Sequence, residues 1–191
     1  MSRKQNALIA VAISAVLGSA TCGLVLAQTQ AGTTVPGSEQ TTNNSSVINA
    51  KDKQFMRKAA QAGMAEVEEG RVAADKAQSP KVKSFAERMV QDHTQAGDKL
   101  MQIAETLHVK LPTQPSHAQQ KQLAKLRKLS AGEFDKTYDP MQVQDHKETV
   151  HEFEQEAKNV QNPALKEWVE GALPVLKEHL KLAQALPNNR G

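Results

Sequence analysis

Three histidines and a glutamate occupy positions where the helical spacing of this chain calls for aliphatic side chains. His93, His146 and His179 each fall in the apolar seam of a different predicted helix, and Glu66 does so on a fourth. Burying an unpaired polar group costs roughly 1–3 kcal/mol. One such residue on each of four helices therefore points to a shared site inside a helical bundle. Imidazole and carboxylate together suit a transition metal of the Fe, Zn, Cu or Mn kind, without selecting among them. A lone seam histidine is more often a satisfied core residue; three accompanied by a carboxylate favour convergence.

The seams themselves carry the argument. The first predicted helix, from about Asn49 to Ala77, places Phe55, Ala59, Ala62, Glu66, Glu69 and Ala73 on one stripe. The second, capped by Ser79 with Pro80 in its first turn and running to about His108, carries Val82, Ala86, Met89, His93, Ala96, Leu100, Ile103 and Leu107. The third starts at Ser130, which forms a capping box with Glu133, and carries Val143, His146, Val150, Phe153, Ala157 and Val160. The fourth opens at Asn162-Pro163 and carries Leu165, Val169, Ala172, Leu176, His179, Ala183 and Leu186. Steps of three and four residues mark amphipathic helices facing a common core, and no strand pattern competes.

Depth agrees with convergence. Glu66 lies about 13 residues before the turn at Ser79 and His93 about 14 after it, so the two sit at one height at 1.5 Å rise per residue. His146 and His179 lie about 16 and 17 residues from Asn162 on either side. Asp92 and Asp145 each precede a seam histidine in a Gln-Asp-His triplet, about 100° around the helix. There they are either acceptors orienting a histidine on a neighbouring helix or solvated surface carboxylates. Glu69 and Tyr138 are further candidates for supporting the ligands. His108, His117 and His151 fall off the stripes and read as surface residues. Met89, Met56, Met64, Met101 and Met141 read as core filler.

A short crossover helix separates the second and third main helices. Ser116 with Gln119 makes its capping box, and Leu123, Leu126 and Leu129 its stripe. The segments Pro80–Glu87 and Pro163–Glu170 share a Pro-x-aliphatic-Lys-x-aromatic pattern, each opening the second helix of a hairpin. Two hairpins joined by a crossover of about 22 residues are the topology of ferritin-like bundles with one long connection. Pro140 and Pro174 fall inside predicted helices and should kink or divide them, with Asp139 available to cap a fresh start at Pro140.

Residues 1–27 read as a signal peptide: Arg3 and Lys4 precede an apolar run from Ala7 to Leu26, with Ala27 at the expected cleavage position. Cys22 offers a competing lipidation site behind a poor lipobox, and an uncleaved segment would serve as a membrane attachment. Residues 28–47, rich in Gln, Thr, Ser and Asn, read as a flexible tether, leaving residues 48–188 as one helical domain. The expected location is periplasmic or otherwise extracytoplasmic. Cleavage would remove the sole cysteine, hence any disulfide, and would leave 22 basic against 21 acidic residues. That near-neutral balance, with few aromatics, excludes a nucleic-acid partner. Lys121, Lys125 and Lys128 read as a solvated helix face.

The runs Met64–Gly70, Val82–Met89 through Asp92-His93, Glu133–Tyr138, Asp145-His146 and Leu173–His179 together resemble a bacterial domain-of-unknown-function family of exported proteins, number forty-one forty-two, similar to ferritin-like four-helix proteins. The resemblance spans nearly all of the chain beyond the tether. It implies an all-α, ferritin-like four-helix bundle outside the cytoplasm and no established activity. Two departures stand out: Glu69 replaces a usual aliphatic residue, and Pro140 falls where the family continues a helix. The Glu-x-x-His motif of ferritin-like di-iron centres is also missing, since Val90 and Leu176 stand three residues before His93 and His179. This argues against a standard ferroxidase and for a mononuclear or altered site.

Two functional classes follow. One is an exported metal-binding or redox-related protein whose site is Glu66, His93, His146 and His179. The other is a non-catalytic envelope scaffold in which the histidines hydrogen-bond to one another or to Glu66 and Tyr138. No nucleophile motif, phosphate loop or Gly-rich turn supports a hydrolase.

Overall fold

The computed structural model describes residues 48–189. The segments read as signal peptide and tether, Cys22 included, lie outside the described residues. The described chain is all-α: α1 (Ala50–Lys76), α2 (Pro80–Thr106), α3 (His117–Lys128), α4 (Ala131–Asn159), α5 (Pro163–Gln184) and a terminal 3-10 turn (Pro187–Asn189). None of these helices is long and apolar enough to cross a membrane.

Local chemistry sets the boundaries. Asn49 accepts from the Asp52 N–H at 2.8 Å to start α1. Ser116 and Gln119 exchange bonds in a capping box at α3, and the Asn162 side chain accepts from the Leu165 N–H at α5. The carboxylate of Glu133 accepts from both the N–H and the hydroxyl of Ser130 at α4. The start of α2 differs from expectation. Ser79 is in the cap position without a side-chain cap bond. The free N–H groups of Gln78 and Ser79 are instead satisfied by Asp135, from α4. The α2 C-terminus closes at His108 with φ of 52°, in the left-handed region.

The two internal prolines do not divide their helices. Pro140 lies inside an unbroken α4 and Pro174 inside an unbroken α5. Asp139 does not cap a new start; it is buried and accepts from the backbone and side-chain N–H groups of Asn188 at 3.1 and 2.8 Å. The residue expected to begin a helix thus fastens the C-terminal turn onto α4.

The helices α1 and α2 pack as one hairpin and α4 and α5 as another, while α1 meets α4 and α2 meets α5. The crossover helix α3 lies on α1 and α4. Gly70 permits the close approach of the first hairpin: a Cβ there would stand 2.9 Å from both the Ala86 carbonyl oxygen and Val90 Cγ2. The core is divided in two. One apolar cluster gathers around Phe55, Leu100, Phe153 and Leu176, the other around Phe85, Met89, Phe134 and Tyr138. Along every main helix the stretch between the two clusters is polar: Glu66 and Glu69 on α1, His93 on α2, Gln142 and His146 on α4, and His179 on α5. Equivalent positions of the repeated hairpin segment face the core in both copies, Val82 and Ala86 in one, Leu165 and Val169 in the other.

Gly70→Val is expected to destabilise the protein by roughly 1–3 kcal/mol, since backbone and Val90 would have to move. Gly97→Ala, with nothing within 4 Å of its Cβ, is expected to be neutral or stabilising by up to about 1 kcal/mol. Urea unfolding of both variants checks the contrast, and equal effects would contradict the packing described.

Candidate metal centre

The three seam histidines meet in the polar layer. Ring centroids are 5.8 Å apart for His93 and His146, 5.3 Å for His93 and His179, and 5.4 Å for His146 and His179. One ring nitrogen from each lies within 4.8 Å of the others. His146 and His179 are 1% exposed; His93 is half-buried, with its Nε2 sealed from solvent.

Hydrogen bonds assign the tautomers of two rings. His146 Nδ1 stands 3.0 Å from the backbone carbonyl of Gln142, one turn earlier on α4. A carbonyl only accepts, so Nδ1 carries the proton and Nε2 keeps its lone pair. His179 Nε2 stands 2.8 Å from Asp92 Oδ2, across from α5 to α2. The ionised carboxylate takes that N–H and leaves Nδ1 unprotonated. Asp92 is in turn held by Arg88, one turn before it, at 3.1 Å. Burial alone would raise the Asp92 carboxyl; the His179 hydrogen bond and Arg88 outweigh it and hold it below the ordinary carboxylate range. The remaining nitrogens, His146 Nε2 and His179 Nδ1, have no partner, nor does His93 Nε2.

All three imidazoles are held neutral. Burial, reinforced by repulsion from His146 and His179, pushes His93 down to about 3. Burial takes His179 to about 4 against the raising effect of Asp92, and it also lowers His146.

The sequence reading set Glu66 with the histidines, and it lines one cleft with His93 and His146. Its carboxylate groups with those of Glu69 and Asp145, one oxygen from each lying within 4.8 Å of the others. Glu69, expected either in the seam or turned out, is 2% exposed. Asp145 orients no histidine in this arrangement; its Oδ2 accepts from Gln122 Nε2 of α3 at 3.3 Å. The same Gln122 amide reaches Glu69 at 3.4 Å, and the Gln142 amide reaches the other Glu69 oxygen at 3.4 Å. Burial raises Glu66 to about 7. Burial and repulsion from Glu66 raise Glu69 to about 9 and Asp145 to about 6. Tyr138 is fully buried near these carboxylates; its hydroxyl has no partner, and burial drives it well above its ordinary value.

Gln122, Gln142 and Arg88 are the residues that sequence reasoning missed. Gln142 carried a readable signal, standing four residues from both Tyr138 and His146. The buried face of α4 follows that four-residue step, so Gln142 is buried and Val143, assigned to the seam, is half-buried. His108, His117 and His151 are exposed, as are Lys121, Lys125 and Lys128. Met56 and Met89 are core residues, whereas Met101 is 58% exposed. A cleft of about 660 Å³, whose lining includes Ala59, Ala62, Gly63, Ala96 and Gly97, reaches Glu66, His93 and His146.

Fold and site define an all-α bundle whose core contains a layer of three imidazoles and three carboxylates. The chain belongs to the family described as Domain of unknown function (DUF4142), whose model matches residues 37–186. Among curated proteins and solved structures, comparison finds no match to it.

The two halves of the layer have opposite pH signatures in metal-free protein. The histidines have folded values below their unfolded one near 6.5, so the unfolded chain protonates first. Their stabilisation is present above pH 6.5 and is lost as pH falls toward about 4 and 3, at no more than about 1.4 kcal/mol per pH unit for each ring. Glu66 and Glu69 have raised values, so their contribution is present below about 4.5 and is lost as pH rises through about 7 and 9. Replacing His93, His146 and His179 together by Gln is expected to remove the acid-side loss, so that the variant gains on its parent as pH falls from 6.5 to 4.5. Parallel denaturant-unfolding profiles would show that these rings are not buried and neutral.

Proposed function

We propose that this protein binds one transition-metal ion through His93, His146 and His179. The observation that carries the reading is the set of buried, unpartnered ring nitrogens on three different helices. Two of these rings have their other nitrogen engaged by an acceptor, the arrangement that orients a metal-binding imidazole. Neutral imidazole donors favour Zn, Cu or Fe over Mg or Ca. Nitrogens at 2.0–2.1 Å from a tetrahedral ion stand about 3.3 Å apart, so the rings would close by at most about 1.5 Å from their present spread. Three protein donors leave a coordination position for water or a small ligand, with the cleft as its route from solvent.

The pairing of hairpins through one long connection supports a ferritin-like bundle, and the basic, then apolar N-terminal segment supports a protein that works outside the cytoplasm. The scaffold alternative is less favoured. It expects hydrogen bonds among the histidines, Glu66 and Tyr138, whereas the bonds of His146 and His179 go to the Gln142 carbonyl and Asp92.

Zn²⁺ added to chelator-stripped protein is expected to bind at one equivalent to this site and, at a hundredfold excess over its Kd, to raise Tm by roughly 8–10 °C. Asp92→Ala is expected to weaken binding about 10–100-fold by freeing the His179 ring. Calorimetric titration and thermal melts check both. Absence of uptake of Zn²⁺, Cu²⁺ and Fe²⁺, with an unchanged Tm, contradicts the reading and favours the scaffold.

A further inference from the structure

The carboxylates of the polar layer pose a separate problem of hydrogen-bond accounting. Glu66, Glu69 and Asp145 bring three carboxyl groups to one place, and Glu66 and Glu69 are 8% and 2% exposed. Carboxylate oxygens only accept when ionised. The donors that reach them are the amides of Gln122 and Gln142. Glu66 Oε2 is buried without a partner. Independently, Gln142 is fully buried, its Nε2 bonded to Glu69 while its Oε1 is unpartnered. The Gln142 amide turns its N–H to Glu69, so its oxygen is one more buried acceptor without a donor. Protons or a cation must offset such an array, and no lysine or arginine is bonded to it in the described residues.

We propose that Glu66, Glu69 and Asp145, joined by the side-chain oxygen of Gln142 once its amide turns over, form a second cation position that takes an oxygen-preferring divalent ion of the Mn²⁺ kind. Oxygen donors of mixed carboxylate and amide type suit such ions, whereas imidazoles suit the later transition metals. The layer is thereby divided by donor chemistry, imidazole on one side and oxygen on the other. It differs from a carboxylate-bridged iron pair, in which each ion has both a histidine and glutamates. Each helix face supplies the division: α1 contributes carboxylates alone, α2 and α5 contribute imidazoles, and α4 contributes Asp145 and Gln142 to one side and His146 to the other. From α3, Gln122 covers the carboxylates and ties the crossover helix to them.

This position does not depend on the imidazole reading, and the test separates the two. Full-length, chelator-stripped protein is titrated with Mn²⁺ alone, followed by electron paramagnetic resonance and equilibrium dialysis, and in parallel with Zn²⁺ alone. The expected result is one Mn²⁺ bound by the parent and by the variant with His93, His146 and His179 all replaced by Gln. Glu69→Gln combined with Asp145→Asn is expected to weaken Mn²⁺ at least tenfold and to leave the Zn²⁺ stoichiometry at one. These substitutions remove metal-binding carboxyl groups at nearly constant shape; should the pair lose its helical circular dichroism, Glu66→Gln carries the same comparison. Failure of the parent to bind Mn²⁺ at millimolar concentration overturns the proposal, as does Mn²⁺ binding that the carboxylate variants leave unchanged or that the histidine variant abolishes. Loss of Zn²⁺ binding alone would remove the imidazole reading and leave this one standing.

Discussion

A polar layer through the middle of an apolar core is the constraint on which the rest of this structure depends. On α1, α2, α4 and α5 alike, the apolar contacts stop, a stretch of imidazole, carboxylate or amide follows, and the apolar contacts resume. Within that layer Glu66 Oε2, His93 Nε2, Tyr138 OH, Gln142 Oε1, His146 Nε2 and His179 Nδ1 are buried without partners. At roughly 1–3 kcal/mol each, their combined desolvation is on the order of the whole net stability of a domain. Something must offset such a cost, whether ions, protons or bound water. The mixture of neutral rings and partly protonated carboxylates is what low dielectric leaves in metal-free protein. It keeps charge out of the interior at the expense of pKa values far from their usual range.

The surrounding scaffold acts on this layer in specific ways. Gly70, next to Glu69, lets α1 and α2 approach closely at the level of the carboxylates. Asp135 on α4 satisfies the start of α2, and Asp139 on α4 holds the C-terminal turn, so both hairpins are tied to α4. Arg88, Asp92 and His179 run as a relay from the surface of α2 into the centre of α5. The chain from guanidinium to carboxylate to imidazole fixes which nitrogen of His179 is free, and thus what the ring can bind.

Periodicity made part of this legible in the sequence. A three-and-four step is a statement about direction, so it put His93, His146 and His179 toward one axis, and equal distances from the hairpin turns put them at one depth. Helix ends were legible wherever the capping group is local, as with Asn162 or the Ser116–Gln119 box. What periodicity does not contain is contact between helices. The cap of α2 by Asp135, the clasp of Asp139 on Asn188 and the reach of Gln122 from α3 join residues about fifty or more positions apart or across different helices. Glu66 shares the depth of the histidines and a cleft with His93 and His146, yet depth does not specify which groups a carboxylate meets. Its carboxylate faces Glu69 and Asp145. Pro140 and Pro174 were expected to kink or divide their helices; neither divides its helix, each being accommodated at the loss of one backbone bond.

The account stands on neutral, oriented imidazoles, one nitrogen of each lying within 4.8 Å of the others. Long-range proton–nitrogen correlation NMR of chelator-stripped, histidine-labelled protein at pH 6 reads this directly, because nitrogen shifts distinguish the two neutral tautomers from the cation. The predicted spectrum has His146 protonated on Nδ1 alone and His179 on Nε2 alone, the tautomers dictated by the Gln142 carbonyl and Asp92. A doubly protonated ring at either position, or the opposite tautomer, would contradict it.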